Sequence, residues 1–147
     1  MTVETVARLL TPEARHFLSA TPPRYATLAT INADGSPHQI VIWFLLRGDS
    51  EGTLIVINSR RGRRWPANLG RDGRAHLAVF EAEDAVTIEC AVERAYEGAQ
   101  AQADIAEMAA RYDTPEEAQR EIARFQTEQR VSFVLRPTRV NIHGDPH

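Results

Sequence analysis

Lysine is missing from this chain of 147 residues, so all 17 of its basic side chains are arginine. The codon bias of a GC-rich genome produces this pattern, and every surface cation, functional or not, then has to be an arginine. Cysteine occurs once, as Cys90 in the apolar run VTIECAV. An internal disulfide is excluded, Cys90 reads as a core residue, and a reducing cytoplasm is the expected compartment. No apolar run approaches ~18 residues, which excludes a helical membrane span. The opening MTVETVARLLTPEA carries acids early and lacks a basic stretch followed by an apolar one, so no secretory signal is expected. Aromatic residues make up only 7%, are not interleaved along a basic face, and sit in a chain of net charge −3; a nucleic-acid partner is therefore not expected. No spacing of histidines, cysteines and acids matches a zinc site. Ser19, Ser59 and Ser132 have no nucleophile-elbow context, so hydrolase chemistry is unsupported.

What remains is the composition of one ordinary globular domain, residues 1–147, with 43% hydrophobic and 25% charged residues. The charges are segregated. Residues 81–128 hold 13 of the 20 acids and only four arginines, whereas residues 59–75 (SRRGRRWPANLGRDGRA) hold six arginines against Asp72. These are Arg60, Arg61, Arg63, Arg64, Arg71 and Arg74. The segment follows a strongly apolar run at 53–58 and opens with Ser59, a glycine and helix-compatible residues. Positive charge and free backbone N–H groups at a helix start suit a phosphate, and the arginine fork grips anionic oxygens in pairs. An ordinary solvated face, built from arginine for want of lysine, fits the same residues.

Alternating or apolar runs predict six strands, at about 24–32, 37–46, 53–58, 75–80, 86–95 and 131–135, with a short extended tail at 140–143. Turn signals fall at 33–36, 47–52 and 81–84. Thr11-Pro12-Glu13 predicts a helix to about Ser19. Pro66 is tolerated only in a first turn, so the helix after the arginines should begin near Arg63 or Arg64. Two more helices are expected at about 100–111 and 114–126, the second opened by the capping box Thr114-Pro115-Glu116-Glu117. Ile105, Met108 and Ala109 form a packing face. Short antiparallel hairpins with few helices point to a mainly β (α+β) fold, a small closed or partly closed barrel. Apolar runs such as IVIWFLL facing both ways leave too much apolar surface for a monomer, so a homodimer is expected.

Order and motifs together resemble the pyridoxamine 5′-phosphate oxidase-like split-barrel proteins, and within them the flavin/deazaflavin oxidoreductases that use coenzyme F420. The resembling blocks are LATINADGSPHQIVIWF (28–44), TLIVINSRRGRRWPANLGRDGRAHLAV (53–79) and RVSFVLRPTRVNIHG (130–144). The resemblance implies a six-stranded antiparallel split β-barrel with a few flanking helices, and a homodimer with cofactor sites at the subunit interface. It places the cofactor phosphate at Asn58, Ser59, Arg60, Arg63 and Arg64, followed by Trp65 and Asn68. The strand bearing Gln39, Val41 and Trp43 should lie beside the flavin-like ring. Many relatives carry lysine where this chain has Trp65, whose indole could pack on the cofactor ring or tail instead.

The activity implied is hydride transfer between reduced F420 and a small or medium organic acceptor, with no catalytic side chain required. F420 carries a phosphate and an oligoglutamate tail, which suits four arginines in residues 60–64 better than a single phosphate does. FMN in the same fold, as an oxidase or reductase, is the alternative. A non-catalytic carrier of a flavin or tetrapyrrole is another. His38 is a candidate to face the substrate or an ordinary strand residue. His76 reads as structural, and His143 and His147 as part of a mobile tail.

Overall fold

In the stretches ATLATI and PHQIVI every second side chain faces one way, as a half-buried strand requires. They form β2 (Ala26–Ile31) and β3 (Pro37–Ile42), an antiparallel hairpin. Gly35 supplies φ +89° in the connecting turn. The Asp34 carboxylate accepts the hydroxyl of Ser36 at 2.5 Å and its backbone N–H at 2.9 Å, which holds its carboxyl below the usual carboxylate range. The structure, a computed structural model, describes residues 4–7, 10–48 and 52–146. Residues 49–51 of the expected second turn and His147 lie outside the described residues.

The remaining strands are β1 (Glu4–Ala7), β4 (Leu45–Arg47), β5 (Leu54–Arg60), β6 (Arg74–Glu81), β7 (Asp84–Glu97) and β8 (Arg130–His143). All pairings are antiparallel, in the order β3-β2-β6-β7-β8-β5-β4, with β1 added along β8. Four helices flank the sheet: α1 (Pro12–Leu18), α2 (Arg64–Arg71), α3 (Ala99–Tyr112) and α4 (Pro115–Phe125). No helix of the described residues is long and apolar enough to cross a membrane. This is the expected split-barrel arrangement with eight strands among the described residues instead of six.

Two differences account for the count. The expected strand 37–46 breaks at Trp43-Phe44, because β3 pairs with β2 while β4 changes partner to β5. The N-terminal segment adds β1. A third difference concerns the C-terminal end. Pro137 does not stop the last strand: a register shift pairs Glu89 with Arg139 and Cys90 with Pro137, and the extra residue relieves the ladder where proline lacks an N–H. The expected tail 140–143 is therefore the end of β8, and Asp145 N–H donates to Asp84 at 2.9 Å.

The helices start where local chemistry dictates. Thr11 caps α1, accepting from Ala14 N–H at 3.1 Å, and the Thr114/Glu117 capping box opens α4 as expected. The main core fills the barrel with Leu28, Ile55, Ile57, Leu77, Ile88 and Leu135, closed by Phe17 of α1 and Trp65 of α2. A second core lies between the sheet and the α3–α4 hairpin. There Ile105, Met108 and Phe125 pack against Leu45, Val56 and Val134, each buried side chain contributing about 1.5–3 kcal/mol. Arg111 fastens the hairpin by donating to Phe44 O at 2.6 Å and Leu18 O at 2.7 Å.

Cys90 sits in the barrel core at 4% exposure, and burial, with Glu89 beside it, pushes its thiol up to about 12. A thiol this far above neutral pH and this inaccessible is inert. Iodoacetamide at pH 8 is expected to leave the native protein unlabelled and to label it once per chain in denaturant, as intact mass would show. Stoichiometric labelling of the native protein would contradict this placement of Cys90.

Candidate cofactor site

The site grows from β5. Ile55 and Ile57 point into the barrel, which turns Val56 and Asn58 toward the α3–α4 hairpin. Asn58 is cross-strand partner to Ser132 on β8. Its amide N–H group donates to Ala101 O at 3.0 Å and to Ser132 Oγ at 2.9 Å, and its Oδ1 accepts from Arg130 Nε at 2.9 Å. The Ser132 hydroxyl in turn donates to Asp104 Oδ2 at 2.7 Å, and Tyr96 donates its hydroxyl to the same oxygen. Burial and the adjacent Asp104 raise the Tyr96 phenol above its ordinary range. Arg47 completes the network, 3.5 Å from Asp104 Oδ1. A buried polar group without partners is costly, and here each member has one.

This network ends at Arg130, whose side chain is 8% exposed. Its Nη1 donates to Glu128 Oε1 at 2.9 Å, and its guanidinium lies 4.6 Å over the ring of Phe125. Burial lowers its pKa from the ordinary arginine value; Glu128 opposes that shift, while the charges of Arg63 and Arg124 add to it. Three guanidinium groups thus share one locality, brought by the β5–α2 turn, by α4 and by β8. Gly62, at φ +99°, makes the turn that presents Arg63. Arg61 N–H ties that turn to Gln129 O at 2.7 Å, next to Arg130.

The three arginines border a cavity of ≈ 310 Å³. Ile40, Ile42, Trp65, Ile105 and Phe125 supply its apolar lining, and Asn58 and Ser59 its polar one. Tyr25 and Val41 stand on its rim with 56% and 63% exposure. Beside them Trp43 stacks on Tyr112 at 5.2 Å and 4°, and Tyr25 packs on Tyr112 as well, with ring centroids 5.4 Å apart. The Tyr112 hydroxyl donates to Arg24 O at 2.7 Å.

Of the residues expected from the sequence, Val41, Trp43, Asn58, Ser59, Arg63 and Trp65 line this cavity. Gln39, Arg60, Arg64, Asn68 and His38 do not. Gln39 shares the exposed face of β3 with Val41 but lies two residues further along the strand, across from Ala29. His38 lies nearer the hairpin, opposite Thr30. Arg60 and Arg64 are exposed outside the cavity. Asn68 clamps α2 to β2: its amide donates to Thr30 Oγ1 at 3.1 Å and Asn32 Oδ1 at 3.0 Å, while its carbonyl takes Arg71. That side chain is engaged in holding the helix and does not line the cavity. The arginine segment therefore divides. Arg61 pairs with Glu97 at 3.2 Å, Arg74 with Asp72 at 2.8 Å, and Arg71 donates to Ile31 O; Arg63 alone of the six turns into the cavity.

The sequence reading missed Tyr25, Arg124, Phe125 and Arg130. Arg130 had a visible signal, since it alternates with Ser132 and so shares its strand face. Arg124 had none, because Glu121 and Glu128 at helical spacing make it look like part of a solvated face. A larger hollow of ≈ 520 Å³ lies elsewhere, lined by residues of β2, β6 and β7 that include Ala29, His76, Glu89 and Cys90. Its one arginine, Arg74, is held by Asp72, whose carboxyl that guanidinium lowers to about 2. We take the smaller cavity as the site because three guanidinium groups converge there, more than the adjacent carboxylates match.

Residues 10–144 match the family model described as pyridoxamine 5′-phosphate oxidase, and the chain belongs to that family. Among solved structures it is similar to an F420 reductase, with 20% identity, 86% of this chain and 94% of that one covered, and a TM-score of 0.66. A conserved hypothetical protein from Mycobacterium tuberculosis gives 22% identity over 91% of this chain and 85% of that one, with a TM-score of 0.67. A heme binding protein from Mycobacterium smegmatis gives 27% identity over 87% of this chain and 51% of that one, with a TM-score of 0.60. No curated protein matches in sequence.

Proposed function

We propose that the arginine-bordered cavity binds a phosphate-bearing flavin-type cofactor, F420 in preference to FMN, and that the protein is an oxidoreductase acting on a small or medium organic acceptor. The observation that carries this reading is the convergence of Arg63, Arg124 and the buried Arg130 on one apolar-lined cavity. Such a site combines an excess of positive charge with an apolar lining, which fits a ring joined to an anionic chain. When bound, reduced F420 supplies a hydride from its ring carbon. Ile40, Ile42 and Trp65 would exclude water from the ring, while Ser59 and Arg63 would hold its phosphate. Similarity to an F420 reductase supports this choice; similarity to a heme binding protein keeps a carrier role as the second reading.

We further propose a cytoplasmic homodimer. A second copy covering Tyr25 and Val41 would close the rim of the cavity, and Phe80, at 65% exposure, is a third exposed apolar side chain for it to cover. Sedimentation is expected to give a dimer at micromolar concentration; a stable monomer would remove the assembly proposal.

The test of function is titration of F420, FMN and heme into the purified protein, followed by turnover of reduced F420 with a panel of acceptors. F420 is expected to bind tightest, and Arg63→Ala to weaken it about tenfold or more through loss of a charge-assisted bond. Tighter binding of FMN would promote the flavin alternative. Heme binding without F420 turnover would promote the carrier.

A further inference from the structure

Arg124 and Arg130 reach the cavity from separate elements, yet they share two neighbours. The ring of Phe125 lies 4.8 Å from the Arg124 guanidinium and 4.6 Å from that of Arg130, so its π face attracts both. The carboxylate of Glu128 bridges them as well, accepting from Arg130 Nη1 at 2.9 Å and from Arg124 Nη1 at 3.5 Å. Glu128 is itself fixed, because its backbone N–H donates to Phe125 O at 3.0 Å and its carbonyl accepts from Gln102 Nε2 at 3.0 Å. Glu121 takes the other terminal nitrogen of Arg124. Arg130 Nη2 has no protein partner among the described residues. Three guanidinium groups with two carboxylates leave one positive charge unmatched.

We propose that Arg124 and Arg130 form a second anion subsite in this cavity and that Glu128 is its built-in competitor. A carboxylate or phosphate of the ligand takes over the guanidinium N–H groups that Glu128 holds in the free protein. The proposal rests on the cofactor reading above, in which the Arg63 end takes the first phosphate. It names ligands with two separated anionic groups as those the cavity selects. The geometry gives Glu128 a role opposite to that of an orienting residue. If Glu128 only aimed Arg130, removing its charge would loosen the clamp. As a competitor, the same change frees two guanidinium groups for the ligand.

Calorimetry decides between these, using inorganic pyrophosphate, FMN and F420 with the wild type, Glu128→Gln and Arg124→Ala. Arg124 is exposed on α4, whereas Glu128 is half-buried in the turn before β8, so thermal melts would verify folding of both variants. Glu128→Gln is expected to bind pyrophosphate about threefold or more tighter than wild type, and Arg124→Ala about threefold or more weaker. F420 should shift in the same directions, while FMN, with its single phosphate, should change less than about twofold. Pyrophosphate binding that is undetectable throughout, or no tighter in Glu128→Gln, overturns the subsite. Expected pyrophosphate shifts without F420 or FMN binding would leave the subsite standing and remove the cofactor reading. F420 binding that is insensitive to both substitutions would do the reverse.

Discussion

Trp65→Lys is expected to cost about 3–5 kcal/mol of folding stability, the range for losing a buried aromatic side chain. Trp65 is only 2% exposed. It stands in the first turn of α2, 5.8 Å from Phe133 with the rings tilted by 54°, and joins Leu69 in the barrel core. Lysine here loses that packing and must carry its ammonium from the core toward the cavity, at a further desolvation cost. The substitution also bears on the cavity, which Trp65 lines. The packing makes it chiefly a probe of α2. In a domain of this size the midpoint of thermal unfolding should fall by about 6 °C or more, at roughly 2–4 °C per kcal/mol. Circular dichroism melts would measure it. Trp65→Phe, which keeps an aromatic in contact with Phe133, should lose much less. If Trp65→Lys melts within a degree or two of wild type, the indole is not an anchor of the core.

The same tryptophan shows how far the sequence could be read. That Trp65 opens a helix was legible, because Pro66 tolerates only a first turn and the helix indeed begins at Arg64. Its burial against Phe133 was not, because that contact joins segments far apart in the chain. Local signals fared well throughout: the Thr11 and Thr114 caps and the hairpin turn at 33–36 all formed where short-range chemistry placed them. Errors arose where a tertiary partner decided. Residues 37–46 are apolar from end to end, and nothing in them marks the change of strand partner at Trp43, whose stack on Tyr112 comes from α3. Asn68 has the same residue type whether it holds a ligand or a helix, and only its contacts with Thr30 and Asn32 distinguish these. Six clustered arginines pointed to the segment that borders the cavity, through Arg63. The division of that cluster depended in part on partners from distant strands, Glu97 of β7 for Arg61 and the Ile31 carbonyl of β2 for Arg71.

Asp104→Ala is expected to cost about 2–4 kcal/mol, because it removes the acceptor on which a buried network converges. Asp104 is 5% exposed and Ser132 fully buried. Without the carboxylate, the hydroxyls of Tyr96 and Ser132 lose the oxygen they share, and each leaves a donor to be satisfied. Arg47 is spared, since it keeps Glu107 at 2.7 and 3.0 Å. Asp104→Asn retains an acceptor oxygen and should lose clearly less, which separates loss of hydrogen bonds from loss of packing. The consequences extend to the cavity. Ser132 helps set the rotamer of Asn58, and Asn58 Oδ1 aims Arg130 through its Nε. Anion affinity at the cavity should therefore fall in Asp104→Ala by a few-fold even in the fraction that remains folded, although Asp104 itself does not border the cavity. Denaturant titration gives the stability change, and pyrophosphate calorimetry on the folded variant gives the affinity change. Equal stability of Asp104→Ala and wild type would show that the network is not coupled to folding. Reduced stability with unaltered pyrophosphate affinity would show that Asn58 and its contact with Ala101 O suffice to hold Arg130, and that the positioning role stops at Ser132.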